Sequence, residues 1–225
     1  MQILISIGAI AIAYVIGSIP FGLLIVKLTT GKDIRQVESG RTGGTNAMRA
    51  AGFWAGFATA MLDIVKGAAG AWLTIALAPE QTWAHVAAAL ASILGHNYSI
   101  FLPNRDENGK FKGFRGGAGG APSVGGAMGL WLPSILIILP LGALTFFSIG
   151  IASITTMAVA LFAIVIFAAR AAWYGAPWAY VWYGVGAELL LMWALRPNIK
   201  KLFDGNERVV GLSLHGWLKK RKQEN

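Results

Sequence analysis

The chain alternates long apolar segments with shorter polar loops. The longest segments exceed the roughly 20 residues that an α-helix needs to cross the hydrocarbon core of a bilayer. They lack the polar face, repeated at helical or strand period, that the elements of a soluble domain carry. We therefore predict an all-α integral membrane fold, a single multi-pass domain with seven transmembrane helices. The predicted spans are residues 3–28, 53–78, 83–101, 116–131, 132–147, 153–170 and 176–195, followed by a basic tail over 196–225.

Two of these spans carry interruptions. Gly17-Ser18-Ile19-Pro20 predicts a kink in the first span, because proline removes a backbone donor and clashes with the preceding turn. The span 116–131 is rich in glycine, and at about 1.5 Å per residue it barely crosses the hydrocarbon. It either spans the bilayer or forms a broken, partly re-entrant helix that lines a polar cavity.

Positive charge is concentrated in three regions, the loops 27–52 and 102–121 and the tail from Arg196. The positive-inside rule assigns all three to the cytoplasmic side, with the N-terminus outside and the C-terminus cytoplasmic. The formal net charge is +9. Because the cations lie outside the apolar segments, we expect membrane lipids rather than nucleic acid as the partner.

Two further stretches are predicted to contact the membrane surface. Residues 211–220 join apolar side chains to lysines, and they either anchor at the interface or form a solvated end. Aromatic side chains around the last loop are predicted to form the outer aromatic belt, namely Trp173, Tyr174, Trp178, Tyr180, Trp182 and Tyr183.

The most informative polar stretch runs from Glu38 to Arg49. Its glycines let backbone N–H groups approach a ligand and form an anion-binding nest. Arg49 adds a guanidinium that can hold phosphate through two hydrogen bonds. Arg41 either joins this site or contacts lipid headgroups. A second stretch, 111–120, also combines glycines with cations, so we predict that the two stretches meet and bind phosphates at the inner membrane face.

Several kinds of catalytic site are absent from the sequence. It has no cysteine, no Gly-x-Ser-x-Gly elbow, no Walker loop and no His-Glu-x-x-His metal motif. No histidine is followed five residues later by aspartate. We expect neither a metal ion nor a cofactor, and a reaction that depends on positioning and electrostatics.

Four ionisable residues lie within or at the ends of apolar segments. Asp63 and Lys66 share a helix face, and a charge at the bilayer centre costs roughly 2.5–3.5 kcal/mol, so we expect them to pair. Lys66 either only neutralises Asp63 or also contacts substrate. His96 is either a general base or a hydrogen-bonded structural residue. For Glu188 we expect a structural hydrogen bond with a tyrosine or serine.

Several motifs occur in a fixed order along nearly the whole chain. They are Gly17–Gly22, Gly31–Arg35, Ser39–Arg49, Asp63–Gly67, Gly95–Tyr98, Phe114–Gly119 and Asn198–Glu207. Together they resemble the motifs of the bacterial acyl-phosphate:glycerol-3-phosphate acyltransferases (PlsY type). The resemblance implies seven transmembrane helices in the bacterial inner (cell) membrane and an active site facing the cytoplasm. It also implies acyl transfer from acyl phosphate to the sn-1 hydroxyl of glycerol 3-phosphate, which gives lysophosphatidic acid.

The resemblance, together with the chemistry above, gives the candidate site. The catalytic candidates are His96, Ser39 and Asn198. The candidates for substrate binding are Gly40, Arg41, Gly43, Thr45, Asn46, Arg49, Lys66, Lys112, Arg115, Gly116, Gly117, Ser153 and Glu207.

The chain departs from the family pattern at several polar positions. Arg41 replaces an asparagine, Gly44 an alanine and Arg115 a lysine, while Ala118 and Leu195 stand where the family has lysine and histidine. A hydrophilic insertion also separates Leu102 from Phe114. Lys112 either reaches back to replace the missing cation or belongs to a shifted motif. The alternatives to the acyltransferase are therefore a catalytically altered relative that binds phospholipid precursors, and a transporter of phosphorylated solutes.

Overall fold

The computed structural model describes residues 1–210 and 213–224, so part of the predicted surface stretch, Gly211 and Leu212, lies outside the described residues. The α-helices are α1 (Gln2–Ser18), α2 (Phe21–Thr30), α3 (Gly44–Ala51), α4 (Phe53–Leu77), α5 (Thr82–Asn97), α6 (Gly120–Leu130), α7 (Ile135–Ile149), α8 (Ala152–Tyr174), α9 (Ala179–Ala194), α10 (Arg196–Phe203) and α11 (Leu214–Glu224). Single 3₁₀ turns occur at Ile34–Gln36 and Leu132–Ser134.

The described part of the chain has four helical units long and apolar enough to cross a membrane. They are Gln2–Thr30, Phe53–Leu77, Leu132–Ile149 and Ala152–Tyr174. The first unit is broken between α1 and α2 at Ile19 and Pro20, where the sequence predicts a kink. Helices α5 and α9 have 16 residues each and rise about 24 Å, somewhat less than the ~30 Å hydrocarbon core.

The predicted span 116–131 takes a different form. Its helix, α6, begins only at Gly120 and has 11 residues, and every residue from Pro122 to Leu130 is buried. Gly116, Gly117 and Gly119 precede it in a non-helical turn, and Gly119 has a φ of +89° that favours glycine. A helix of about 16 Å is too short to span the hydrocarbon alone, so this segment differs from the other predicted spans in being short and enclosed by protein.

Small residues allow the helices to approach closely around α6. Gly125 faces the carbonyl of Ile64 on α4, and Gly67 faces the backbone of Pro122. Such contacts are how helices pack where lipid supplies no hydrophobic driving force between them. Tyr183 of α9 closes the same core, since it is fully buried and donates to the carbonyl oxygen of Ser123.

Burial of Tyr183 corrects the predicted aromatic belt. Trp173, Tyr174, Trp178 and Trp182 are exposed, as a belt requires. Tyr183 instead belongs to the helix core. The hydrogen bond expected for Glu188 is also not formed, because its buried Oε2 has no hydrogen-bond partner in the described residues.

The hydrophilic insertion after Leu102 forms a β-hairpin, which adds a small sheet to the predicted all-α fold. Strand β1 (Pro103–Arg105) pairs antiparallel with β2 (Phe111–Phe114), and an irregularity in register follows Asn104. The connecting turn is capped by Asp106, whose Oδ1 accepts hydrogen bonds from the backbone N–H groups of Asn108 and Lys110.

The tight contact between α4 and α6 gives a stability prediction. We expect Gly125→Ala to lower the thermal unfolding midpoint, because its Cβ would collide with the backbone carbonyl of Ile64, and overpacking of this kind costs about 1–3 kcal/mol. The measurement is thermal unfolding of the purified protein in detergent. Gly8→Ala is the matched control, since nothing lies within 4 Å of the Cβ it adds. Equal midpoints for the two variants would contradict this packing argument.

Candidate active site

A cleft of about 380 Å³ lies where the two glycine-rich stretches meet the ends of several helices. The first stretch and α3 form one side. The N-terminus of α6, the N-terminus of α8 and the segment from Leu195 to Arg208 form the remainder. Of the predicted site residues, the cleft contains Ser39, Arg41, Gly43, Thr45, Asn46, Arg49, His96, Ser153, Asn198 and Glu207.

Asn46 holds the first glycine-rich stretch in shape. Its Nδ2 lies 3.2, 2.9 and 2.9 Å from the carbonyl oxygens of Ile34, Val37 and Arg41. The residue is only 3% exposed. Gly40, with a φ of +67°, makes the turn and does not line the cleft. The side-chain NH₂ group of Asn46, a predicted binding residue, therefore donates to the backbone of its own loop.

An ion pair fixes the approach to this loop. The guanidinium of Arg35 donates to both carboxylate oxygens of Asp33, at 3.0, 3.1 and 2.7 Å. These hydrogen bonds lower the pKa of the Asp33 carboxyl below its usual range. Asp33 also caps the short 3₁₀ turn by accepting from the backbone N–H of Arg35. The 3₁₀ turn that precedes the glycine-rich stretch is thus stabilised by both the backbone and the side-chain hydrogen bonds between Asp33 and Arg35.

The second glycine-rich stretch contacts the first, as the sequence predicts. The backbone N–H of Thr42 donates to the carbonyl oxygen of Gly116 at 3.3 Å, and Gly117 N–H donates to the carbonyl of His96 at 2.9 Å. A Cβ on Gly117 would collide with Nε2 of the His96 ring. Gly116 and Gly117 lie outside the cleft lining, and their small size lets the second stretch pack closely against His96 and Asn97 at the end of α5.

Two helix N-termini open into the cleft. Helix α3 begins at Gly44 and α6 at Gly120, and the residues around both starts line the cavity. The first N–H groups of a helix have no partner within that helix, and its N-terminus carries partial positive charge. Neither helix has a side-chain cap at this end. Together these termini provide two places where an anion is stabilised.

Arginine and lysine side chains add full charges around the same cavity. The Nη2 of Arg41 donates to the carbonyl oxygen of Ala194 at 2.7 Å, which fixes its guanidinium beside the end of α9. Burial lowers the pKa of Arg41, although a guanidinium stays charged at neutral pH. Arg49 and Lys201 also line the cleft. Arg208 lines it too, but its Nη1 pairs with the carboxylate of Glu38 at 3.1 Å.

Glu207 organises the side of the cleft formed by α8 and α10. Its Oε1 accepts hydrogen bonds from Asn198 Nδ2 at 2.8 Å and from Ser153 Oγ at 3.3 Å. These residues lie far apart in sequence, yet one carboxylate oxygen joins them. The arrangement presents amide, hydroxyl and carboxylate groups that could bind the hydroxyls of a small polyol.

Behind the cleft lies a buried charge cluster. Asp63 Oδ1 is 2.9 Å from Lys66 Nζ and 3.5 Å from His96 Nδ1, and all three residues are less than 5% exposed. Lys66 also donates to the carbonyl of Ile19, at 2.6 Å, beside the break between α1 and α2. Lys66 does not line the cleft, whereas Asp63 and His96 do. The lysine thus acts as the partner of Asp63 and as a link to α1.

Two predicted cations lie away from the cleft. Lys112 is on the hairpin, 3.8 Å from Asp106, and does not replace the lysine missing at position 118. Arg115 exchanges backbone hydrogen bonds with Ser99 and Leu102, and it is not part of the cavity lining.

Sequence reasoning missed several residues of the cleft, chiefly Glu38, Thr156, Lys201 and Arg208. The position of Lys201 in the sequence could have identified it as a site residue. It lies three residues after Asn198 on one helix, a spacing that puts both on the same face. Ala118 and Leu195, where the resemblance expects lysine and histidine, also line the cleft.

Comparison with known proteins gives consistent matches over nearly the whole chain. The family model described as Glycerol-3-phosphate acyltransferase matches residues 7–205. A glycerol-3-phosphate acyltransferase of Halalkalibacterium halodurans is 32% identical over 205 residues, covering 88% of this chain and 92% of the relative. Its counterpart from Bordetella pertussis is 35% identical over 218 residues, covering 93% and 94%.

Two solved structures share the fold. Both are crystal structures of PlsY, described as an integral membrane glycerol 3-phosphate acyltransferase. The glycerol 3-phosphate form has a TM-score of 0.77 and 28% identity, and it covers 92% of this chain and 96% of that chain. The lysophosphatidic acid form has a TM-score of 0.76 and 26% identity with the same coverage.

The hydrogen bonds of Asn46 give a prediction about loop order. We expect Asn46→Ala to speed amide hydrogen exchange in residues 34–43, because three carbonyl contacts are lost and a buried hydrogen bond contributes about 1 kcal/mol. Hydrogen exchange followed by mass spectrometry measures this. Asn108→Ala serves as the control, since its side chain is exposed at the hairpin turn. Unchanged exchange in Asn46→Ala would show that its amide does not hold the loop.

Proposed function

The chain belongs to the glycerol-3-phosphate acyltransferase family, and we propose that it uses acyl phosphate to acylate the sn-1 hydroxyl of glycerol 3-phosphate. The product of this acylation is lysophosphatidic acid. The observation that carries the proposal for the donor is the convergence of two helix N-termini with Arg41, Arg49 and Lys201 in one cleft. Both reactants bear a phosphate, and this cleft offers two sets of anion-binding groups.

The reaction requires little covalent chemistry from the protein. The sn-1 oxygen attacks the acyl carbonyl carbon, the bond from that carbon to the phosphate oxygen breaks, and inorganic phosphate leaves. Acyl phosphate is already an activated mixed anhydride. The cleft therefore has to position the hydroxyl and stabilise the charge that moves onto the phosphate.

We assign the phosphates to the cationic side of the cleft. The N–H groups at Gly43, Gly44 and Thr45, with Arg49, would bind one phosphate. The start of α6 with Arg41 would bind the other. Gly40 would form the turn of the first loop beside the carbonyl of Arg35, and Gly116 and Gly117 would let the second loop pack against the end of α5. Ser39 adds a hydroxyl at the edge of the first loop.

We assign the glycerol hydroxyls to the side organised by Glu207. Ser153, Asn198 and Glu207 form a connected set of hydrogen-bonding groups on the cleft wall. Such groups can orient the attacking hydroxyl. The proton released from it would go to His96, which lines the cleft and has Asp63 3.5 Å behind its Nδ1. A carboxylate at that distance stabilises the protonated imidazole that results.

Arg41 would supply the cation that Ala118 lacks. Both residues line the cleft, one from each glycine-rich stretch. The family has asparagine at the first position and lysine at the second, so the chain exchanges a neutral and a charged group between them. The anchoring of Arg41 to Ala194 keeps its guanidinium at the cavity. A compensated charge favours an active enzyme over the catalytically altered relative.

The membrane arrangement is part of the proposal. We infer seven crossings in the bacterial inner membrane, with the N-terminus outside and both the cleft and the C-terminus on the cytoplasmic side. The cationic loops support this orientation, because the cleft, the hairpin and α10 gather at one end of the bundle. The short helix α6 would count among the seven as a helix enclosed by protein.

The function is tested by supplying purified protein with acyl phosphate and glycerol 3-phosphate and measuring lysophosphatidic acid. We expect Arg49→Ala to reduce kcat/KM roughly tenfold to hundredfold, since a hydrogen bond to a charged group contributes about 1.5–3 kcal/mol. Arg49→Lys should recover only part of the loss, because lysine cannot bind phosphate through a planar fork.

Arg105→Ala is the matched control, since this arginine lies on the hairpin and its guanidinium donates to the carbonyl of Gly109. It should retain wild-type activity. Substrate binding without turnover in the wild-type protein would favour the catalytically altered relative. Equal activity of Arg49→Ala and Arg105→Ala would contradict the assignment of Arg49.

The orientation is tested with single cysteines, which the natural sequence lacks. We expect a membrane-impermeant maleimide to label Tyr174→Cys in spheroplasts, because this exposed position follows the predicted outward crossing of α8. Asn108→Cys, at the hairpin turn, should be labelled only after the membrane is opened. The reverse pattern would overturn the seven-span orientation.

A further inference from the structure

Helix α10 has two differently occupied faces. Asn198 and Lys201 point into the cleft. The opposite face lines a second cavity of about 540 Å³ on the outer surface, formed with the end of α9. Its walls are mostly apolar and carry two cations. The lining includes Leu189, Met192, Trp193, Arg196, Lys200 and Phe203.

The two cations of this groove, Arg196 and Lys200, are placed where they can bind an anion. The guanidinium of Arg196 stacks 3.7 Å from the ring centre of Trp193, which holds the planar group at the mouth of the groove. Lys200 follows one turn later on the same face. In the described part of the chain, neither cation lies within salt-bridge distance of a carboxylate. No acidic residue lines the groove.

The apolar walls of the groove are open on the surface of the bundle. Leu189 is 62% exposed and Phe203 86%, and Met192 and Trp193 are also exposed. The groove runs from the apolar side of α9 to the cationic start of α10, so an apolar wall leads to two cations. A molecule that matches it has an alkyl chain joined to a negative headgroup.

We propose that this groove binds one anionic glycerophospholipid of the surrounding membrane. The lipid phosphate lies between Arg196 and Lys200, and one acyl chain lies along Leu189, Met192 and Trp193. The inference goes beyond the acyl-transfer reaction and requires only that α9 contacts the bilayer. Because α10 also carries Asn198, which donates to Glu207, a bound lipid stabilises the helix that forms one wall of the cleft.

The test is lipid binding to the purified full chain in detergent, measured by native mass spectrometry with dioleoyl phosphatidylglycerol or dioleoyl phosphatidylcholine. We expect tighter binding of the anionic lipid. Arg196→Gln should weaken it about fivefold, and Arg196→Gln with Lys200→Gln about thirtyfold, since each cation near the surface contributes a factor of about five. Lys200→Gln is also measured alone. Lys200 is exposed and makes no salt bridge in the described residues, so we expect this variant to fold.

Lys201→Gln is the matched control, because Lys201 neighbours Lys200 in sequence but faces the cleft. It should bind the anionic lipid like the wild type, which separates this groove from lipid entering the cleft. Equal affinity for the two lipids, or an equal loss in Lys200→Gln and Lys201→Gln, would overturn the proposal. Both outcomes can be read whether or not the protein transfers acyl groups.

Discussion

The close approach of two glycine-rich backbones at one end of the helix bundle is the constraint on which the site depends. The backbone N–H of Thr42 donates to the carbonyl of Gly116, and that of Gly117 donates to the carbonyl of His96, whose ring lies close beside Gly117. Side chains at Gly116 and Gly117 would push the second loop away from His96 and Asn97 at the end of α5. Only in contact do the loops bring the starts of α3 and α6 into the same cavity. The cleft therefore depends on glycines that let the second loop lie against α5 as well as on its charged side chains.

Buried charge sets a second constraint, because the helices beneath the cleft contain Asp63 and Lys66. A lone carboxylate or ammonium is costly in such surroundings, and pairing at 2.9 Å offsets part of that cost. The pair also does structural work. Lys66 donates a hydrogen bond to the carbonyl oxygen of Ile19 at the break between α1 and α2, and Asp63 faces His96. One ion pair thus joins α1, α4 and α5 directly beneath the site.

The sequence predicted helix positions well where length and apolarity were sufficient, as in α4 and α8. It also predicted the break at Pro20 and the contact of the two glycine-rich stretches, and the family match confirms the resemblance carried by the motifs. It failed where three-dimensional context decides. Tyr183 is buried because α9 packs on α6, and nothing in its local sequence distinguishes it from the exposed Trp182. Lys112 points away because the insertion pairs as a hairpin, whose register local composition does not specify.

The charge balance of the cleft favours an anionic ligand. Arg208 is paired with Glu38, and Asp63 is paired with Lys66, so these four residues contribute little net charge. What remains on the lining is Arg41, Arg49 and Lys201 against Glu207. Glu207 accepts hydrogen bonds from Asn198 and Ser153. An excess of positive charge, joined by two helix N-termini, is unfavourable in an empty site and is relieved when a phosphate-bearing ligand binds.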